Sequence, residues 1–161
     1  MSNALAQILA QQIPVGIYRW SCRRSAAAIA REAAAAGWRC FTLDGSAINN
    51  KASFLATCAV AFGWPAYVGH NWDSFEEAIN DLSWAPAQGY LVVYDDPDPF
   101  AEGDPENWQI AQSILRDASG NWSYEQIPFI SLIRAASQRH DHIPRLEHAL
   151  AETAEDDEEA A

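Results

Sequence analysis

Four short runs rich in β-branched and aromatic residues alternate with helical stretches, and this alternation leaves the chain few architectures. Residues 15–22 read as a strand, after which Ser25 is placed to cap an Ala-rich helix that ends at Gly37. The next strand, 38–43, closes at Asp44-Gly45, and Asn50 is placed to cap a helix that buries Phe54, Leu55, Cys58 and Phe62 before Gly63 stops it. A further helix spans about 71–82, and the apolar run 90–94 fits a strand buried on both faces. Asp104 followed by Pro105 is a cap and first-turn signature for a helix through Asp117 with Trp108, Ala111 and Leu115 at core spacing, and 128–133 is the last strand. Strands alternating with helices over short connections predict an α/β fold: a small, mostly parallel sheet of about four strands covered by helices.

The length of 161 residues, about half of them apolar, suits a single core. We expect a lead-in over 1–14, one domain over 15–150 and a disordered acidic tail over 151–161. No stretch of about 18 apolar residues occurs, and residues 1–12 lack the basic-then-apolar layout of a secretory leader, so the expected location is the cytoplasm with no membrane contact. Cys22, Cys40 and Cys58 are odd in number and stand in no CxxC or Cys/His ligand spacing, which predicts reduced thiols in or near the core.

The formal net charge of −12 argues against direct binding to nucleic acid and favours a basic partner. Six acids, Glu152 and Glu155 to Glu159, belong to the tail. The remaining charge is uneven: no Lys or Arg lies between Lys51 and Arg116, whereas Asp73, Glu76, Glu77, Asp81, Asp95, Asp96, Asp98, Glu102, Asp104 and Glu106 do. On a helical wheel for 71–82, Trp72, Phe75, Ile79 and Leu82 form the core face. Asp73, Glu77 and Asp81 recur on the opposite face at i, i+4 and i+8, with Glu76 and Asn80 beside them. Asp73 helps the first turn, but Glu77 and Asp81 repel each other with no neighbouring cation in sequence to relieve them. A solvated surface is one account of such a face; a cationic partner is the other.

The lead-in to this helix carries a family resemblance. Tyr67, Gly69 and Asn71, then Trp72-Asp73 and the acidic pair Glu76-Glu77, reproduce an aromatic-x-Gly-x-Asn-aromatic-Asp pattern, and the segment resembles the barstar family of ribonuclease inhibitors. The resemblance runs in order from Trp38 to Ile133, so the first strand and helix stand outside the minimal family core. It implies a non-enzymatic inhibitor without cofactor, a monomer when free, that blocks the active site of a small, basic, secreted ribonuclease in a one-to-one complex. Tyr67, Asn71 and Asp73 match family interface or helix-entry positions. Glu77 falls where the family places its principal phosphate-mimicking Asp and is one methylene longer; Glu76 replaces an aromatic residue and His70 an acid. Asp81 and Trp84 complete the expected partner-binding set, Trp84 as an aromatic at the rim. An adaptor that offers the same acidic face to a basic partner other than a nuclease is the alternative.

His70, Asn71, Asp73 and Glu77 could be imagined as a metal or acid/base site, but further ligands are missing from the sequence, and no nucleophile elbow, P-loop, HExxH or GxGxxG motif occurs. No catalytic, cofactor-binding or metal residue is therefore assigned. His140, His142 and His148 read as surface histidines, and most of the seven tryptophans as core.

Overall fold

A computed structural model describes residues 3–65, 68–135 and 137–160, without the side chains of 138 and 155–160. The elements follow in the order α1 (Ala4–Leu9), β1 (Gly16–Arg19), α2 (Ala26–Ala35), β2 (Trp38–Asp44), α3 (Lys51–Ala61), α4 (Trp72–Asp81), β3 (Gly89–Asp95), α5 (Asp98–Gly103), α6 (Pro105–Ser123), β4 (Phe129–Arg134) and α7 (Leu146–Ala160). The four strands make one all-parallel sheet in the order β1-β4-β3-β2. The sheet is therefore of the predicted α/β type, with the chain returned to the same end of the sheet before each strand by helical connections.

Alternation along each strand divides the core in two. Tyr90, Val92 and Tyr94 of β3 and Phe129 and Ile133 of β4 face α3, α4, α5 and α6, in a cluster centred on Phe54, Phe75, Phe100 and Trp108. Leu91, Val93, Ile130 and Leu132 point the other way, onto Leu5 and Ile8 of α1, Ile29 and Ala33 of α2 and Leu146 of α7. A central strand covered on both sides must be apolar at nearly every position, which is why residues 90–94 are all buried.

The capping signals act as expected at two helices, and Asn71 supplies a cap at a third. Ser25, Asn50 and Asn71 each accept the backbone N–H three residues on, from Ala28, Ser53 and Ser74. Asp104 does not follow the rule. It precedes α6 without capping it; its carboxylate accepts the Lys51 N–H at 3.0 Å, at the start of α3, and two N–H···O bonds from Asn107. The Asn107 bonds lead the contributions that hold the Asp104 carboxyl below the usual Asp range.

One expectation gains detail and two need correction. The lead-in over 1–14 contains α1, capped by Asn3, and its Leu5 and Ile8 are wholly buried. The tail expected to be disordered instead continues α7 to Ala160, because its Ala and Glu residues are strong helix formers and Leu146, Ala149 and Leu150 seat its first turns against the sheet. His140 is no surface residue. It is fully buried against Trp108, with Nε2 2.8 Å from Asp98 Oδ1; His142 and His148 are exposed.

The three thiols are free. Burial pushes the Cys40 thiol up to about 12 and raises that of Cys58 as well. No helix among the described residues is long and apolar enough to cross a membrane.

Candidate functional site

Helix α4 is clamped from beneath. Phe75 and Ile79 are wholly buried, Leu82 nearly so, and Trp72 is half-buried with its ring against Phe54 and Phe75. Three hydrogen bonds then tie α4 to α6. Trp72 Nε1 donates to Asn107 Oδ1 at 2.9 Å, Trp122 Nε1 to the Ile79 carbonyl at 2.9 Å, and Asn121 Nδ2 to Asn80 Oδ1 at 3.1 Å. Two of these are made by indoles, one sent out from α4 by its own Trp72 and one received from Trp122 of α6, so the rotation of the helix about its own axis is fixed. That rotation turns Asp73, Glu76, Glu77 and Asp81 into solvent.

Among the described residues none of these four carboxylates takes part in an ion pair. Among the described residues Asp81 accepts a single side-chain bond, from the Ser83 hydroxyl at 3.0 Å, and it stands in the last turn, where the helix dipole is already negative. Lys51 does not relieve them, since its Nζ lies over the Trp72 ring, 5.8 Å from the centroid. The local arrangement is thus electrostatically unfavourable for the free protein.

The helix is a ridge between two grooves. One, of about 400 Å³, is lined by Val68, Gly69, Ser74, Glu77, Asp81 and Trp84, and the Trp84 indole is anchored through Nε1 to the Phe62 carbonyl at 2.9 Å. The other, of about 620 Å³, lies against α6 and places Glu76 beside Arg116, Asp117, Asn121 and Tyr124. Tyr124 is 89 % exposed, the largest exposure of any large apolar side chain among the described residues. The structure thus brings together Asp73, Glu76, Glu77 and Asp81 on one surface and puts Trp84 in the same groove as Glu77 and Asp81. Asn71 serves as the exposed cap of the helix, and Tyr67 lies outside the described residues.

Sequence reasoning missed the second groove. Nothing in the order of residues shows that the end of α6 comes to lie beside Glu76, because that neighbourhood depends on Trp122 being buried under α4. His70 is exposed at the helix entry, and among the described residues no group of three or more His, Cys, Asp or Glu is placed to hold a metal ion.

No curated protein sequence matches the chain significantly. Two solved structures of the Aeropyrum pernix ORC2 protein are similar in fold. The ADPNP-ADP complexes match at 15 % identity with a TM-score of 0.54, and the ADP form at 14 % with a TM-score of 0.55. Each match covers 84 % of this chain and 39 % of the other, so the chain spans well under half of those proteins. At such identity the likeness concerns the layered parallel sheet alone. The family model described as Barstar (barnase inhibitor) matches residues 38–134, from the first residue of β2 to the last of β4, and so includes the acidic helix and both its grooves. Over that stretch, which is more than half its length, the chain belongs to the barstar (barnase inhibitor) family.

Proposed function

We propose that the chain inhibits a small basic ribonuclease by laying α4 across the enzyme's active site, in the cytoplasm of the cell that makes both. The observation that carries this reading is the outer face of α4: four exposed carboxylates without an ionic partner among the described residues, on a helix whose underside is rigidly held. A pre-set anionic surface suits cationic groups that otherwise bind RNA phosphates, and it needs no rearrangement on docking. Glu77 is central on the ridge and carries most of the interaction, followed by Asp73. Asn71 and Tyr67 shape the approach, Trp84 and Tyr124 supply aromatic contact at the two flanks, and Glu76 and Asp81 act mainly at long range. The complex is one-to-one, and the chain does no chemistry of its own.

The test uses the intact chain to recover its partner, then titrates it into that partner's RNA-cleavage reaction. Stoichiometric inhibition is expected, with Glu77→Gln weakening binding by about 2–5 kcal/mol because a partner cation is left buried and unmatched. A recovered partner that cleaves no RNA overturns the inhibitor reading. Undiminished binding by Glu77→Gln overturns the assignment of the helix.

A further inference from the structure

Four of the chain's ten Lys and Arg residues line one crevice, of about 510 Å³, at the carboxyl ends of β1 and β4. In a chain of net charge −12 this is a strong local reversal. Its cations have two roles. Arg134 is a fixed wall: its guanidinium pairs with both Asp95 oxygens, at 2.5 and 2.8 Å, and donates to the Cys22 and Arg24 carbonyls. Arg19 is likewise held, by the Ile143 carbonyl at 2.7 Å and by Asp141 at 3.2 Å. Arg23 and Arg145 are exposed, and among the described residues neither has a carboxylate within ion-pair distance.

The crevice already holds an anionic group of the chain itself. Glu147 Oε1 accepts the Ser21 N–H at 3.3 Å and the Ser21 hydroxyl at 3.2 Å, in the loop that follows β1. Both contacts are long, and Glu147 is exposed, so the carboxylate is a replaceable occupant. With Arg19 and Arg134 neutralised by their own partners, the two free guanidiniums outweigh Glu147 by one charge. Were Glu147 to swing out, they would match a dianion. Open parallel sheets present their ligand crevices at the carboxyl ends of the strands, and guanidinium forks fit phosphate oxygens in pairs. The volume is that of a small-molecule site.

We propose that this crevice binds the phosphoryl group of a small molecule, gripped by Arg23 and Arg145 and by the Ser21 N–H and hydroxyl from which it displaces Glu147. The site lies away from α4 and is independent of partner binding there. It is tested by titrating the isotope-labelled intact chain with inorganic phosphate and pyrophosphate at low salt and following the backbone amide resonances. Saturable shifts at Ser21 and its neighbours are expected. Arg23→Gln combined with Arg145→Gln should weaken binding by about tenfold or more, the removal of two charge-assisted contacts on exposed side chains. Glu147→Gln should tighten it several-fold, and Glu77→Gln should leave it unchanged. Shifts that do not saturate, equal affinity in the double Arg variant, no gain in Glu147→Gln, or acetate binding as tightly as phosphate would each overturn the proposal.

Discussion

Leu82 ends α4 in the left-handed region, with φ at +47°, a conformation that disfavours a branched side chain by about 1–2 kcal/mol. Glycine would be the conformational choice there. The leucine is nevertheless 1 % exposed and belongs to the larger core cluster, and deletion of such a side chain removes about 2–5 kcal/mol. Burial exceeds strain, so Leu82→Gly should lower stability by about 2 kcal/mol in urea unfolding. A gain in stability would show that the helix end is governed by backbone conformation alone. The same competition explains why no stop residue is visible at this end in the sequence: the helix stops because Leu82 must turn inward and lets Trp84 reach the Phe62 carbonyl. His140 shows a similar limit. Its partner Asp98 lies 42 residues earlier, at the start of a helix too short to announce itself, and only their meeting accounts for a buried imidazole.

At the scale of the element, α4 is less stable than it could be. Asp81 opposes the dipole at the helix end and faces Glu77 one turn back; each effect is worth a few tenths of a kcal/mol. Asp81→Lys should reverse both and stabilise the free protein by about 0.5–1 kcal/mol, while slowing association with a basic partner. Destabilisation measured for Asp81→Lys would mean that the carboxylate has a structural role beyond its bond to Ser83. The outward face of α4 was legible in the sequence because charge and apolar residues follow the 3.6 period over three turns, and helices α2 and α3 were legible from their caps Ser25 and Asn50. Helices α1 and α5 span only six residues each, shorter than periodicity can register, and are set by what they bury: Leu5 and Ile8 in one core, Phe100 in the other. The arginine crevice was invisible for a different reason. Arg19, Arg23, Arg134 and Arg145 converge only because β1 is laid beside β4 at the sheet edge, a pairing that joins residues more than a hundred positions apart.

For the whole molecule, the question is whether the net charge of −12 or the local field over α4 governs encounter with a cationic partner. The two are separable because α4 and the first turns of α7 lie on different layers. Helix α4 packs on the face of the sheet that holds Phe54 and Phe75, whereas α7, which carries the six acids of the tail, packs its first turns on the opposite face with Leu5 and Ile29. The sheet lies between α4 and the first turns of α7, a layer thicker than the Debye length at physiological ionic strength, about 8 Å. Charges beyond that distance are largely screened from a partner approaching α4, while Asp73, Glu76 and Asp81 stand on the approached surface itself and steer the encounter. We therefore expect association to slow by about tenfold or more between 0.01 and 0.15 M salt, with dissociation much less affected. Neutralising Asp73, Glu76 and Asp81 to their amides should remove most of that salt dependence although it changes only three charges. Neutralising Glu152, Glu155, Asp156, Asp157, Glu158 and Glu159 changes twice as many and should remove little of it near physiological salt. Stopped-flow association rates for the two variants across that salt range decide the matter: if the tail variant loses the greater part of the salt dependence, net charge and not the α4 surface steers the partner.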